Sequence, residues 1–175
     1  MLLVPLFYIL IFYPYICHML EIKGILEFDP VNVTKKHLAQ SSWKRTAMVR
    51  FDCDLYAYYS WFLEKRFNLK LNKPLRGTHL TIINDKFDSD ETYRQARELF
   101  HGKEITVQYD PNLIRSNDKG HWWIKADSVD ARNIRTVIGL DPNPYFGYHI
   151  TIGLATHLQL EHSKYITDQC IKFGI

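Results

Sequence analysis

The chain has 175 residues and a mass of 20.8 kDa, with 46% hydrophobic and 23% charged residues, the make-up of one folded domain or of two small lobes sharing a core. A formal charge of +3 and a pI near 8.7 favour an anionic ligand but exclude the dense basic coat of a dedicated nucleic-acid binder. Three widely spaced cysteines, Cys17, Cys53 and Cys170, form no zinc or disulfide pattern, which points to a reducing, cytoplasmic setting.

Residues 1–18 carry no Lys, Arg, Asp or Glu, and the next charge is Glu21. The stretch is close to the roughly 20 apolar residues that a bilayer span needs. Pro5 and Pro14 interrupt it, no basic flank precedes it, and no small-residue cleavage site follows. Three readings stand open: a membrane anchor, a targeting leader, or sequence upstream of a start at Met19. Residues 19–175 form the expected folded domain.

In that domain, 20–42 reads as a short strand and a loop, and 46–51 (TAMVRF) as a strand. Residues 52–67 read as a helix capped by Asp52 or Asp54, with Leu55, Tyr58, Tyr59, Phe62 and Leu63 recurring at three and four. A loop at 72–77 leads to a strand at 78–83 (THLTII). Asp88, Ser89 or Asp90 caps a helix to Phe100, and Gly102 stops it. A strand at 104–109, a polar turn region at 110–120 and a strand at 121–126 follow. Asp127 or Ser128 opens a helix to Leu140, then come a Pro-rich loop, a strand at 148–154, and a short helix at 165–173. Strands with interspersed helices and hairpin-like neighbours predict an α+β fold with antiparallel sheet.

Two segments match each other. Gly77-Thr78-His79-Leu80-Thr81-Ile82 and Gly147-Tyr148-His149-Ile150-Thr151-Ile152 share the form G-x-H-[LI]-T-I, and each follows a loop with Pro and Gly. On a strand, residues i and i+2 share a face. His79 therefore projects with Thr81, and His149 with Thr151, while Leu80, Ile82, Ile150 and Ile152 point into a core. Two such half-sites across a pseudo-twofold axis would hold one phosphodiester. One imidazole takes the nucleophile's proton as the other protonates the leaving oxygen, roles that suit a side chain titrating near 6.5. The threonine hydroxyls would donate to the non-bridging oxygens, where charge develops. No carboxylate cluster suits a metal, and neither metal nor cofactor is expected.

The paired motifs resemble the 2H phosphoesterase superfamily, over roughly residues 46–154. The resemblance implies two pseudo-symmetric α+β lobes whose antiparallel sheets face a central groove, with His79, Thr81, His149 and Thr151 as the catalytic set. Members include cyclic phosphodiesterases of the RNA ligase-like kind, 2′-5′ oligoadenylate phosphodiesterases and the bacteriophage anti-CBASS nuclease. The run FDCDLYAYYSWFLEKR (51–66) close before the first motif is similar to compact phage-type members. That likeness implies hydrolysis of a host cyclic oligonucleotide signal, in the host cytoplasm, as evasion of antiviral defence. Processing of RNA ends bearing 2′,3′-cyclic phosphates is the alternative within enzymes. A nucleotide-binding module without catalysis, or a membrane-tethered interaction protein, are alternatives outside them.

Around the motifs, Trp122 and Trp123 are adjacent, so one faces the groove and one the core; a groove-facing Trp123, sharing its face with His121, would stack a base. Tyr145, Phe146 and Tyr148 could line the groove or the core. Arg76 and Lys73 could meet phosphate. Arg115, Asn117 and Lys119 lie in a polar loop that could act as a lid. His157, Glu161 and His162 match no zinc-enzyme spacing.

Overall fold

The computed structural model describes residues 19–30, 45–84 and 90–173, without the side chains of residues 113 and 168–173. The leader at 1–18 and the proposed caps Asp88 and Ser89 lie outside those residues. Seven strands are described: β1 (Leu20–Phe28), β2 (Ala47–Phe51), β3 (Leu71–Asn72), β4 (His79–Ile83), β5 (Glu104–Ser116), β6 (His121–Asp127) and β7 (His149–Ala155). Four helices accompany them: α1 (Leu55–Phe67), α2 (Asp90–Phe100), α3 (Val129–Val137) and α4 (Leu160–Phe173), the last preceded by a 3-10 turn at His157–Gln159.

The strands form one sheet in the order β3-β7-β4-β2-β1-β5-β6, and every pairing is antiparallel. A further pairing of β6 with β7 closes six of them into a barrel, leaving β3 attached to β7. The fold is thus α+β with antiparallel sheet, as the pattern of elements predicts. The two motif strands, β4 and β7, are neighbours within this single sheet.

Period-two alternation divides the sheet into two faces. One carries Leu26, Val49, Leu80, Ile82, Val107, Trp122, Ile124, Ile150 and Ile152, all fully buried. They join Tyr59 and Leu63 of α1, Ala131 and Ile134 of α3, and Ile166 of α4 in one core. The other face carries the polar alternates, among them His79, Thr81, His149 and Thr151.

Capping fixes where the helices stand. The Asp54 carboxylate accepts from the Ala57 N–H at the start of α1, and Asn68, left-handed at φ 52°, ends it with its own N–H on the Glu64 carbonyl. The Ser128 hydroxyl accepts from Ala131 N–H and donates to the Thr106 carbonyl, while Asp130 accepts from Thr106 N–H. Two side chains of α3 thereby stitch its first turn to β5. The buried indole of Trp122 donates to Ser163 of α4 at 2.9 Å.

Several expectations need correction. β5 does not end at 109 but runs to Ser116, through an irregularity between Tyr109 and Ile114. There the Asp110 carboxylate accepts from Asn112 N–H, so a polar side chain that reads as a turn signal instead braces a bulge. The polar loop that could act as a lid is shorter than expected: Arg115 belongs to β5, and Asn117 accepts from both Lys119 N–H and His121 N–H in a tight turn. α3 stops at Val137, not Leu140, and Gly139 turns the chain at φ 78°. The first strand extends from Leu20 to Phe28, and the last helix begins at Leu160 rather than 165.

Candidate active site

Each motif strand is entered through the same turn. Gly77 N–H donates to the Pro74 carbonyl at 2.9 Å, and Gly147 N–H to the Pro144 carbonyl at 2.8 Å. Both glycines are left-handed, at φ 70° and 65°, a conformation that costs other L-residues roughly 1–2 kcal/mol. The repeat therefore reaches back to a shared Pro-x-x-Gly, three residues beyond the G-x-H motif itself.

The turn aims a carbonyl at each imidazole. Nδ1 of His79 lies 2.8 Å from the Gly77 carbonyl oxygen, and Nδ1 of His149 lies 3.2 Å from that of Gly147. A carbonyl only accepts, so Nδ1 carries the proton in both rings. In the neutral form each Nε2 is then left with a lone pair.

Strand pairing assembles the four motif residues. His79 is paired with Thr151, and Leu80 with Ile150. One step further along that register brings Thr81 to His149. The local twofold thus passes through the Leu80–Ile150 pair, and each histidine faces the other motif's threonine. Arg50 of β2 is paired with His79, and Trp123 of β6 with Thr151. One row, Arg50–His79–Thr151–Trp123, therefore crosses four adjacent strands. The ring of Trp123 meets that of His149 edge-on, at a centroid distance of 6.0 Å.

Burial separates the two histidines. His79 is 8% exposed and His149 half-buried. Desolvation pushes the His79 pKa down to about 4, with the positive charges of Arg76, His149 and Arg50 adding to it and the Gly77 carbonyl opposing. His149 is also lowered by desolvation, against the pull of the Gly147 carbonyl and with a smaller push from His121. His121 is lowered too, by burial and by Lys119.

A cavity of about 170 Å³ opens at this face, lined by Arg76, His79, His121 and Thr151 with Pro74, Leu75 and Leu154. Of the sequence-predicted residues, His79, Thr151 and Arg76 line this cavity, while Thr81, His149 and Trp123 stand on the same sheet face outside its lining. Tyr148 does neither. It is buried in the core and its hydroxyl donates to the Pro142 carbonyl, because it stands one position out of phase with His149. Tyr145 and Phe146, at the tip of the second turn, are 93% and 83% exposed. His162 points elsewhere, with Nε2 2.6 Å from the Phe67 carbonyl. His121 and Arg50 complete the site, and only strand register reveals Arg50, since nothing in TAMVRF marks it. Among the described residues, no group of three His, Cys, Asp or Glu side chains could hold a metal ion, and no helix is long and apolar enough to cross a membrane.

Comparison with protein-family models, with curated proteins and with solved structures finds no match.

Proposed function

We propose that the chain is a metal-independent phosphodiesterase of the 2H type, acting on a cyclic or 2′-type oligonucleotide linkage in the cytoplasm. The observation that carries this reading is the twofold placement of two identical His-Thr half-sites on paired strands, each imidazole held by its own glycine carbonyl. Diagonal neighbours in an antiparallel pair lie about 7–8 Å apart, which leaves room for one phosphoryl group between the rings. The two halves carrying the repeated turns correspond, in this reading, to the two pseudo-symmetric lobes of the 2H fold.

The reaction then uses the asymmetry in burial. His79, neutral at pH 7, takes the proton of the attacking hydroxyl on Nε2 as the new P–O bond forms. His149, the less desolvated ring, is the acid: its Nε2–H passes to the leaving oxygen as the old P–O bond breaks. Thr81 and Thr151 donate to the non-bridging oxygens, and Trp123 offers a face to a base.

The test is hydrolysis of a panel of cyclic and linear oligonucleotides by the full chain in EDTA. Turnover of a cyclic dinucleotide or trinucleotide is expected. Turnover of RNA 2′,3′-cyclic ends alone would move the assignment to RNA-end processing, and loss of activity with chelator would defeat the mechanism.

A further inference from the structure

A second, larger cavity adjoins the histidine site. It measures about 400 Å³ and is lined by Arg50, Phe51, Asp52, Cys53, Asp54, Lys73, Leu75, Arg76, Gly77 and Thr78. Leu75 and Arg76 wall both this cavity and the smaller one beside His79. The two spaces therefore lie on either side of the first Pro-x-x-Gly turn.

Their sizes divide the work. Pockets that hold small ligands run from about 300 to 1,000 Å³. The smaller space is below that range and fits a phosphoryl group with part of a sugar; the larger is within it and fits a nucleotide.

The chemistry of the larger space is anion-seeking. Three cationic side chains, Arg50, Lys73 and Arg76, stand against two carboxylates, Asp52 and Asp54; Arg50 is also paired with Glu27 at 3.1 Å, so Lys73 and Arg76 are the cations chiefly offered to a ligand. Lys73 holds Asp54 only loosely, at 3.5 Å, with both side chains more than half exposed. Helix α1 begins at this wall, its cap Asp54 lining the cavity and its first turn free of acidic residues. Phe51, half-buried, supplies an apolar surface.

At the second turn, Tyr145 and Phe146 take the places that Leu75 and Arg76 hold in the first, and Phe146 is exposed where Arg76 is buried. The two half-sites thus share their catalytic residues but differ in what lies beyond them.

Resting on the phosphodiesterase reading, we infer that this cavity is a second nucleotide subsite on the His79 side. It takes a phosphate-bearing nucleotide next to the scissile linkage, so the substrate class is an oligonucleotide with at least two phosphates rather than a cyclic mononucleotide.

Calorimetry on the full chain tests this with three probes: phosphorothioate-linked pApA, phosphorothioate-linked ApA, and AMP. The expected result is pApA binding at least tenfold more tightly than either of the others. Lys73→Glu should abolish most of that advantage, and Lys73→Arg should restore it. Equal affinity for pApA and ApA in the unaltered protein overturns the subsite, as does indifference to Lys73→Glu. If none of the three probes binds, the phosphodiesterase reading itself falls and the subsite with it. If ApA and AMP bind while pApA has no advantage, only the subsite falls.

Discussion

His79 and Thr151 stand opposite each other on adjacent antiparallel strands, so the imidazole of one motif looks at the hydroxyl of the other. Neither motif is a complete site alone. Each needs the neighbouring strand to supply the partner group at a separation fixed by the sheet.

On the proposed mechanism both histidines are needed for turnover. His79→Ala and His149→Ala are each expected to lower kcat by at least about a hundredfold, the scale of a lost general acid or base. Both should keep the far-ultraviolet circular dichroism of the parent. A variant retaining most of its rate would remove that residue from the chemistry.

The depressed pKa values set the pH profile. With His79 at about 4 and His149 lowered from 6.5, the proposed base is deprotonated above about 4 and the proposed acid is protonated only below 6.5 in the free protein. A bell-shaped kcat/KM profile with its optimum on the acidic side of 6.5 is expected. Substrate phosphate raises both values, so the kcat profile should sit at higher pH. A kcat/KM plateau extending past neutrality would contradict these roles.

The same group governs acid stability. The His79 pKa is lower in the folded protein than in the unfolded chain, so the unfolded state binds the proton more readily. Stability is therefore full above about 6.5 and declines as pH falls towards about 4, by up to about 3 kcal/mol at 1.36 kcal/mol per unit. Urea titrations across that window should show the decline in the parent and a shallower one in His79→Gln.

Gly77 and Gly147 should answer alike to substitution. Neither position has an atom within 4 Å of an added Cβ, so the cost is backbone strain alone, at φ 70° and 65°. Alanine at either site should cost roughly 1–2 kcal/mol. Asparagine, which tolerates this conformation, should cost less. Because each glycine carbonyl holds an imidazole, Gly77→Ala should also lower kcat. Full activity with reduced stability would show that the carbonyl does not orient the ring.

Arg135 is the strongest structural dependence near the site. It is 1% exposed; its guanidinium donates to the Ile82 carbonyl at the end of β4 and to the Asp141 carbonyl at the start of the loop to the second motif. Arg135→Met would leave the buried Ile82 carbonyl and the exposed Asp141 carbonyl without this donor and should destabilise the fold by about 1–3 kcal/mol. Thermal unfolding measures this, and a change under 1 kcal/mol would show that the loop finds other donors.

What could be read from the chain follows from the range of the forces involved. The motif strands were legible because i and i+2 share a face whatever the fold, and α1 because its apolar spacing and the Asp54 cap are local. The length of β5 was not, since the Asp110 bulge is kept in the sheet by its neighbours β1 and β6. Tyr148 reads either way for a related reason: an aromatic beside a motif histidine suggests a binding wall, but strand phase sends it to the core. Arg50 enters the site through a pairing between strands distant in sequence, which no local pattern encodes, whereas His121 follows from its shared face with Trp123. The shared Pro-x-x-Gly was visible as spacing, and only its matched hydrogen bonds give it meaning.

The ring formed when β6 meets β7 also limits how another chain can attach. Among the described residues, the sheet's one outer strand is β3, only two residues long. Little main-chain ladder remains for a foreign segment to extend, so strand-by-strand aggregation has scarcely a template here.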